Sequence, residues 1–469
     1  MLRREVVIRG ILAGIAGLLL FSSACRTRAA ERPNVIFIFV DDQRFDALGC
    51  VNPAAHTPNM DRIAAAGVRF ENAFVTLSIC SPSRAAVLTG HYGSRNGVTT
   101  LGRPLARGET TFAELCRRAG YATALIGKWH LATSPQECGF ERCVWFQSNG
   151  PHYDRKVHNG DRLETAEGFI EDYNVRRSLE FIDAAQAAGK PFVLHWCTQV
   201  PHMTGNFTWE PSDRSRRLLA DRPMPLPASW NDDLAGKPPY LKRARSRVKA
   251  QTEYGYTDPE RIRAHFRDYL AEIADLDRAI GVLLDGLTAR GLEDDTYIIL
   301  MGDNGWMMGD HGLTSKVLAY EPSIRVPLLI AGPGIRPQVC SLPALNIDVM
   351  PTILEMTGVP VPDGLHGRSL LPLCRGEKIA WRDGFFYEAP TSALEVKPHF
   401  AWWEPGWKYI RTFAAEGSSK VIFEELYDLQ ADPDELHNLA DDPRYGEVLQ
   451  RLRARLEAER RKIQGDAQP

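Results

Sequence analysis

Two short polar clusters stand out, Asp41-Asp42 and Asp303-Asn304, each placed directly after an apolar run, residues 35–40 (VIFIFV) and 296–301 (TYIILM). Together they offer oxygen donors only, a set that suits a hard cation such as Ca²⁺, ahead of Mg²⁺, and not a thiolate metal. A divalent ion would let three carboxylates converge without prohibitive repulsion. Two further apolar runs also end in charged or titratable side chains. Residues 121–126 lead into Gly127-Lys128-Trp129-His130, and residues 192–198 lead into Pro201-His202. Taken singly, an Asp after a strand is a turn residue or helix cap, and a lone His is a hydrogen-bonded surface or core group. Four strand ends that all carry such groups on one edge point instead to a shared reactive site.

The elements that must position these residues follow from pattern. Residues 35–40 form a continuous β-branched and aromatic run, the mark of a strand buried on both faces. Thr57-Pro58 opens a helix that Gly67 closes, and Thr111 with Glu114 makes a capping box for a second. Ser81-Pro82 reads as N-cap and first-turn proline, which sets Cys80 just before a helix and Arg84 on its first turn. Further helices are expected over residues 164–188 and 262–290, each followed by a strand. This alternation predicts an α/β fold with a large, mostly parallel sheet flanked by helices. Ligands in such sheets bind beyond the carboxyl ends of the strands.

Residues 203–259 are rich in Pro, Arg and Trp, without a clear period, and read as a lid or specificity insertion. Their basic run, 242–249, is either a cationic wall for a polyanion or a solvated charge run. Asn206-Phe207-Thr208 is a glycosylation sequon. After residue 381 short aromatic and β-branched runs predict a small antiparallel sheet, with Trp402, Trp403 and Trp407 mostly in its core, then a helix over 443–462. The implied organisation is 1–30 export signal, 31–380 catalytic domain and 381–469 C-terminal α+β subdomain.

A net charge of −3 over 469 residues argues against a nucleic-acid binder. Arg3, Arg4 and Arg9 precede an apolar run, 11–21, about half the length that spans a bilayer. The chain is therefore expected to be exported, periplasmic or extracellular, without a transmembrane helix. Arg3-Arg4 loosely fits a twin-arginine signal, and Cys25 a lipid-anchoring site. The nine cysteines show no metal-type pair. Cys138 and Cys143 are close enough in sequence to bridge, and Cys50, Cys116, Cys197, Cys340 and Cys374 read as buried thiols.

The segment 78–90 (SICSPSRAAVLTG) resembles the type I sulfatase signature built on Cys-x-Pro-Ser-Arg, and 120–130 (GYATALIGKWH) resembles the second signature of that family. The resemblance runs from Asp41-Asp42 through 302–305 (GDNG) and 310–312 (DHG) to the C-terminal 426–439. It implies an alkaline-phosphatase-like fold and a hydrolase of sulfate esters, on a small molecule or a glycan. By resemblance, a maturation enzyme oxidises Cys80 to formylglycine, whose hydrate supplies the nucleophile. Its second hydroxyl then lets the covalent sulfate ester collapse. Asp41, Asp42, Asp303, Asn304 and residue 80 match the calcium ligands, and Arg84 the residue that holds the modified side chain. Lys128 and Lys316 match the sulfate-gripping lysines, His130 the base that breaks down the hemiacetal, and His202 the donor to the leaving oxygen. Ser148 is a loose match to a sulfate contact and reads better as a loop residue. The family commonly has proline where this chain has Thr204, and the run 313–315 (LTS) is atypical. Phosphonate monoester and phosphodiester hydrolases share the same motif, and a non-catalytic sulfated-glycan binder is a third possibility.

Overall fold

The computed structural model describes residues 32–464. The expected export signal and Cys25 lie outside these residues. Asn34–Val40 is buried along its whole length, because its seven apolar or amide side chains have protein on both sides. It pairs in parallel with Phe192–Cys197 on one side and Thr296–Gly302 on the other. Ala122–Lys128 and Arg142–Phe146 continue the parallel core. The full sheet has ten strands, with antiparallel pairing confined to its outer parts: Leu328–Ala331 on one side, and the hairpin of Tyr153–Asn159 with Arg162–Phe169 on the other.

Alternation within the central strand divides the interior in two. Ile36, Ile38 and Val40 join one core with the helices Ile170–Ala187 and Pro259–Ala289. Val35, Phe37 and Phe39 join the other with the helices Cys80–Thr89, Phe112–Arg118 and Val349–Thr357. A separate antiparallel sheet of four strands, Phe385–Ala389, His399–Glu404, Trp407–Phe413 and Val421–Asp428, carries a third core, closed by the helix Gly446–Gln464. Trp402 and Trp403 are buried in it, while Trp407 is half-buried. Among the described residues no helix is long and apolar enough to cross a membrane.

Several expectations need correction. The helix expected from residue 164 begins only at Ile170, since residues 162–169 form the second strand of a hairpin. Its turn, Gly160-Asp161, is a two-residue connection in which glycine supplies a φ of +60°. The strand Arg142–Phe146 was not foreseen. Cys80 is the first residue of its helix, with Ile79 at the cap position, and Ser81, already inside the helix, donates its hydroxyl to the His130 carbonyl (2.5 Å). Residues 203–259 contain the helices Asp213–Leu219 and Arg245–Thr252. Cys138 and Cys143 are buried free thiols, Cys50 is exposed and Cys340 half-buried.

His195 stacks on Phe37 with ring centroids 4.7 Å apart, and His399 lies buried in the C-terminal sheet. Burial pushes His195 down to about 3 and His399 down to about 4. Both rings therefore stay neutral when folded, and unfolding takes up protons below about pH 6.5. Stability is complete above that value and is lost as the pH falls toward 4. Each ring should cost about 2 kcal/mol at pH 5. Urea unfolding at pH 7 and pH 5 checks this, and an unchanged midpoint would contradict it.

Candidate active site

The carboxyl ends of the central strands meet in one place. Asp41 and Asp42 follow Val40, Asp303 and Asn304 follow Gly302, and Lys128 closes its strand, all buried. Asp42 and His130 both adopt φ of +58°, a left-handed turn that redirects the chain just past its strand. Gly127 is required where it stands, because a β-carbon there would lie 1.9 Å from the Cys197 carbonyl oxygen, at a φ of +105°. The neighbouring strand thus approaches closely enough to fix the base of Lys128.

Around Cys80 the charges alternate. Its Sγ is 3.3 Å from Asp41 Oδ1, 2.9 Å from Lys316 Nζ and 3.8 Å from Lys128 Nζ. Arg84 donates to Asp303 Oδ2 and to the Lys128 carbonyl, both at 2.8 Å. Lys128 binds Asp41, and Lys316 binds Asp42. One ligand atom from each of Asp41, Asp42, Cys80 and Asp303 falls within 4.8 Å of the others. Asp42 Oδ2 is buried and accepts no hydrogen bond among the described residues, a lone pair pointing to a missing positive partner. Asn304 contributes its amide 2.5 Å from Asp42 Oδ1 and 3.3 Å from Lys316 Nζ. These oxygen donors fit a hard divalent cation with residue 80 at its edge.

Electrostatics agree. Burial, then repulsion from Asp41, pushes Asp303 up to about 7, which is the strain a bound cation relieves. Burial would also raise Asp41, yet Lys128, His202, Arg84 and Lys316 hold it well below the ordinary carboxylate range. Burial and the Asp41 charge push the Cys80 thiol up to about 12. An unmodified cysteine here is a protonated thiol, the opposite of an activated thiolate. Burial and the surrounding cations bring His130 down to about 2, and burial above all brings His202 down to about 4.

A cavity of about 220 Å³ opens above Cys80, lined by His130, His202 and Lys316. His202 donates from Nδ1 to the Met203 carbonyl (2.8 Å), so Nε2 is the unprotonated nitrogen, 3.5 Å from Asp42 Oδ2. The turn that carries it is held by Glu171, buried in the first turn of its helix, which accepts the N–H groups of Gln199 (2.7 Å) and Val200 (3.3 Å). All ten residues expected at the site come together here. Asn149 was missed. It accepts from Lys128 Nζ at 2.6 Å and donates to His202 Nε2 at 2.9 Å, whereas its neighbour Ser148 is exposed. Asn149 lies just past the unforeseen strand Arg142–Phe146, so the strand-end rule that found the others would have found it too. The basic run 242–249 divides: Arg245 and Lys249 line the cavity, Arg247 binds the carbonyls of His311 and Gly312, and Lys242 and Arg243 face solvent.

Comparison with known proteins matches residues 33–359 to the family described as Sulfatase, and residues 309–462 to N-sulphoglucosamine sulphohydrolase, C-terminal. An N-acetylglucosamine-6-O-sulfatase of Bacteroides thetaiotaomicron is 29% identical over 95% of this chain and 90% of its own. A choline-sulfatase of Rhizobium meliloti is 31% identical over 88% and 83%. A solved structure of a protein in complex with its substrate D-glucosamine-2-N,6-O-disulfate superposes with a TM-score of 0.84 at 27% identity, covering 93% of this chain and 99% of the other.

Lys316 lies between Ser315 (φ +78°) and Val317 (φ +80°), conformations that a β-branched valine strongly disfavours. A backbone bond from the Val317 N–H to the Ser78 carbonyl (3.0 Å) and one hydroxyl hold this loop. Tyr387 Oη, from the C-terminal sheet, donates to the Val317 carbonyl and is 2.9 Å from Ser78 Oγ, two residues before Cys80. Tyr387→Phe should cost about 1–3 kcal/mol in urea unfolding, by orphaning the buried Val317 carbonyl. It should also lower kcat more than it changes KM, since both residue 80 and Lys316 lose their common support. Full turnover in the variant would show that this link does not position them.

Proposed function

The chain belongs to the sulfatase family, and from that premise we propose that it removes ester sulfate from a sulfated amino sugar or the glycan that contains it. The observation that carries this reading is residue 80, enclosed by three carboxylates and three cations at the floor of a cavity with no acid in its lining. The amino-sugar substrate is supported by two of the three relatives above, whose names give glucosamine sulfates.

In this reading Cys80 is matured to formylglycine by a dedicated enzyme, and the hydrated aldehyde carries the attacking hydroxyl. Ca²⁺ held by Asp41, Asp42, Asp303, Asn304 and residue 80 supplies Lewis acidity and compensates the carboxylates. The chain's own groups do the rest. Arg84 ties the nucleophile helix to Asp303, so residue 80 cannot drift from the carboxylates. Lys128 and Lys316 present fixed positive charge to the sulfate oxygens as charge builds in the transition state. His130 is neutral, and its buried Nδ1 has no partner among the described residues; an anion at residue 80 offsets the cations that depress its basicity, so that it can accept a proton. His202 faces the cavity through Nε2, where entry of an anion favours the protonated ring that donates to the leaving oxygen. The basic start and apolar run of residues 1–24 support export.

Mass analysis of the residue 80 peptide from native-host protein, with an aldehyde-reactive probe, should reveal formylglycine. Cys80→Ala should lower sulfate-ester turnover by about 10⁴-fold or more. Unmodified cysteine in fully active protein would overturn the nucleophile. The sulfate, phosphate diester and phosphonate monoester of one aryl alcohol should be hydrolysed with the sulfate preferred. Sulfate as the poorest substrate would shift the assignment to phosphate-type esters. Chelation should abolish turnover, with Ca²⁺ restoring it more fully than Mg²⁺; activity that survives in metal-free protein would exclude the cation site.

A further inference from the structure

The charged residues lining the cavity are Lys316, Arg245 and Lys249, with no carboxylate among them. Lys316 is engaged at the floor, against Asp42 and Cys80. The other two cations are not needed there. They sit on the helix Arg245–Thr252, one turn apart, and share a face with Ser246. That helix packs against Thr314–Ser315, the segment leading into Lys316, so its position is referred to the reactive centre. Its first N–H is fixed by the Glu395 carboxylate at 3.1 Å. Lys249 lies over the Phe207 ring at 3.8 Å and pairs with Glu253 at 2.6 Å, which holds the ammonium in place while leaving protons to donate.

Two further donors of the lining are unspent. Ser246 Oγ and Trp306 Nε1 are buried and meet no hydrogen-bond partner among the described residues. The residues are only 3% and 6% exposed. A buried polar group left unpaired costs about 1–3 kcal/mol. A lining that keeps two of them beside the Arg245 guanidinium and the Lys249 ammonium, whose charge Glu253 partly offsets, presents donors that an oxygen-rich anion entering the cavity can use.

We propose that the helix Arg245–Thr252 forms a second anion subsite, in which Arg245, Lys249 and Ser246 receive an oxyanion of the substrate other than the sulfate being removed. This rests on the sulfatase reading and narrows its substrate to a sugar unit bearing a second sulfate or carboxylate, on the same ring or the adjoining one. Long-range attraction alone would favour any anion equally, whereas a subsite discriminates by the number and placement of charges.

The test compares D-glucosamine 6-sulfate, D-glucosamine-2-N,6-O-disulfate and a 6-sulfated glucosamine joined to a uronic acid, with wild-type protein and an Arg245→Gln/Lys249→Gln variant. Wild type should show kcat/KM at least about tenfold higher for one of the doubly charged substrates. In the variant that ratio should approach one, with turnover of the monosulfate changed less than about twofold. Which doubly charged probe is favoured separates sulfate from carboxylate as the second group. Equal losses on all three probes, or no preference in wild type, would overturn the subsite. Calorimetric binding of the same probes to Cys80→Ala protein, with and without the two Gln substitutions, reads the subsite without catalysis. Monosulfate turnover without discrimination in binding removes the subsite and leaves the catalytic reading intact. Discrimination in binding without turnover of any sulfate ester does the reverse.

Discussion

The structure depends on the neutralisation of Asp41, Asp42 and Asp303 in a dry place. A carboxylate at the end of a buried strand has lost its water, and it stays ionised only if positive charge is brought to it. Arg84, Lys128 and Lys316 do this from three different elements: the helix after Ile79, the strand Ala122–Lys128 and the loop before Tyr320. Each ion pair therefore also fixes the position of one segment of the chain. With protein charges alone the six groups balance. In the proposed reading a divalent cation would add two positive charges, which the arriving sulfate ester and the departing sulfate can offset. The site is thus tuned for a strong anion together with a hard cation, and for neither alone.

Such a centre needs support where the sheet cannot reach. Lys316 is not on a strand of the large sheet, and its loop is held in unfavourable backbone conformations by the C-terminal subdomain. Tyr387 ties Val317 to Ser78, and beyond it Lys408 is buried between Glu321 and Glu435, each 2.8 Å away. Glu321 follows Tyr320 at the end of the same loop. Burying Lys408 with two carboxylates is costly unless the geometry is fixed. Here that geometry couples the small sheet to the loop carrying Lys316, so the C-terminal strands support the candidate site although none of their described side chains lines the cavity.

What could be read in the sequence follows from how each segment is buried. Strands covered on both faces leave continuous apolar runs, so 35–40, 192–198 and 296–301 were plain, and the polar residues just beyond them identified the floor of the site. The outer strands are covered on one side at most. Residues 162–169 (RLETAEGF) expose most of their side chains and have a helix-like composition, which is why they were read as the start of the following helix. The short strand 142–146 (RCVWF) was lost with them, and Asn149 with the strand. Ile79 at a cap position has no signal of its own, because its side chain offers no oxygen to accept from the first turn, while Ser81-Pro82 two residues on has the composition of a cap. The basic run 242–249 was ambiguous for a physical reason. It breaks at Ala244: Lys242 and Arg243 belong to the short turn Pro239–Arg243 and face solvent, whereas Arg245 and Lys249 stand one turn apart on the helix Arg245–Thr252 and line the cavity.

The two sets of cations around the cavity are held in different ways, and this difference divides the labour of the site. Arg84, Lys128 and Lys316 are buried and bound to carboxylates that the fold cannot move without breaking the sheet edge. They act on whatever anion reaches residue 80 and say little about the rest of the molecule. Arg245 and Lys249 stand on a short helix within a long connection, where residues can change without disturbing the strands. In the proposed subsite their charge decides which sugar brings its sulfate to the floor. Chemistry is thereby fixed by the parallel sheet and selection by the connection above it, and a chain of this architecture can change its substrate while the charge balance at residue 80 stays the same.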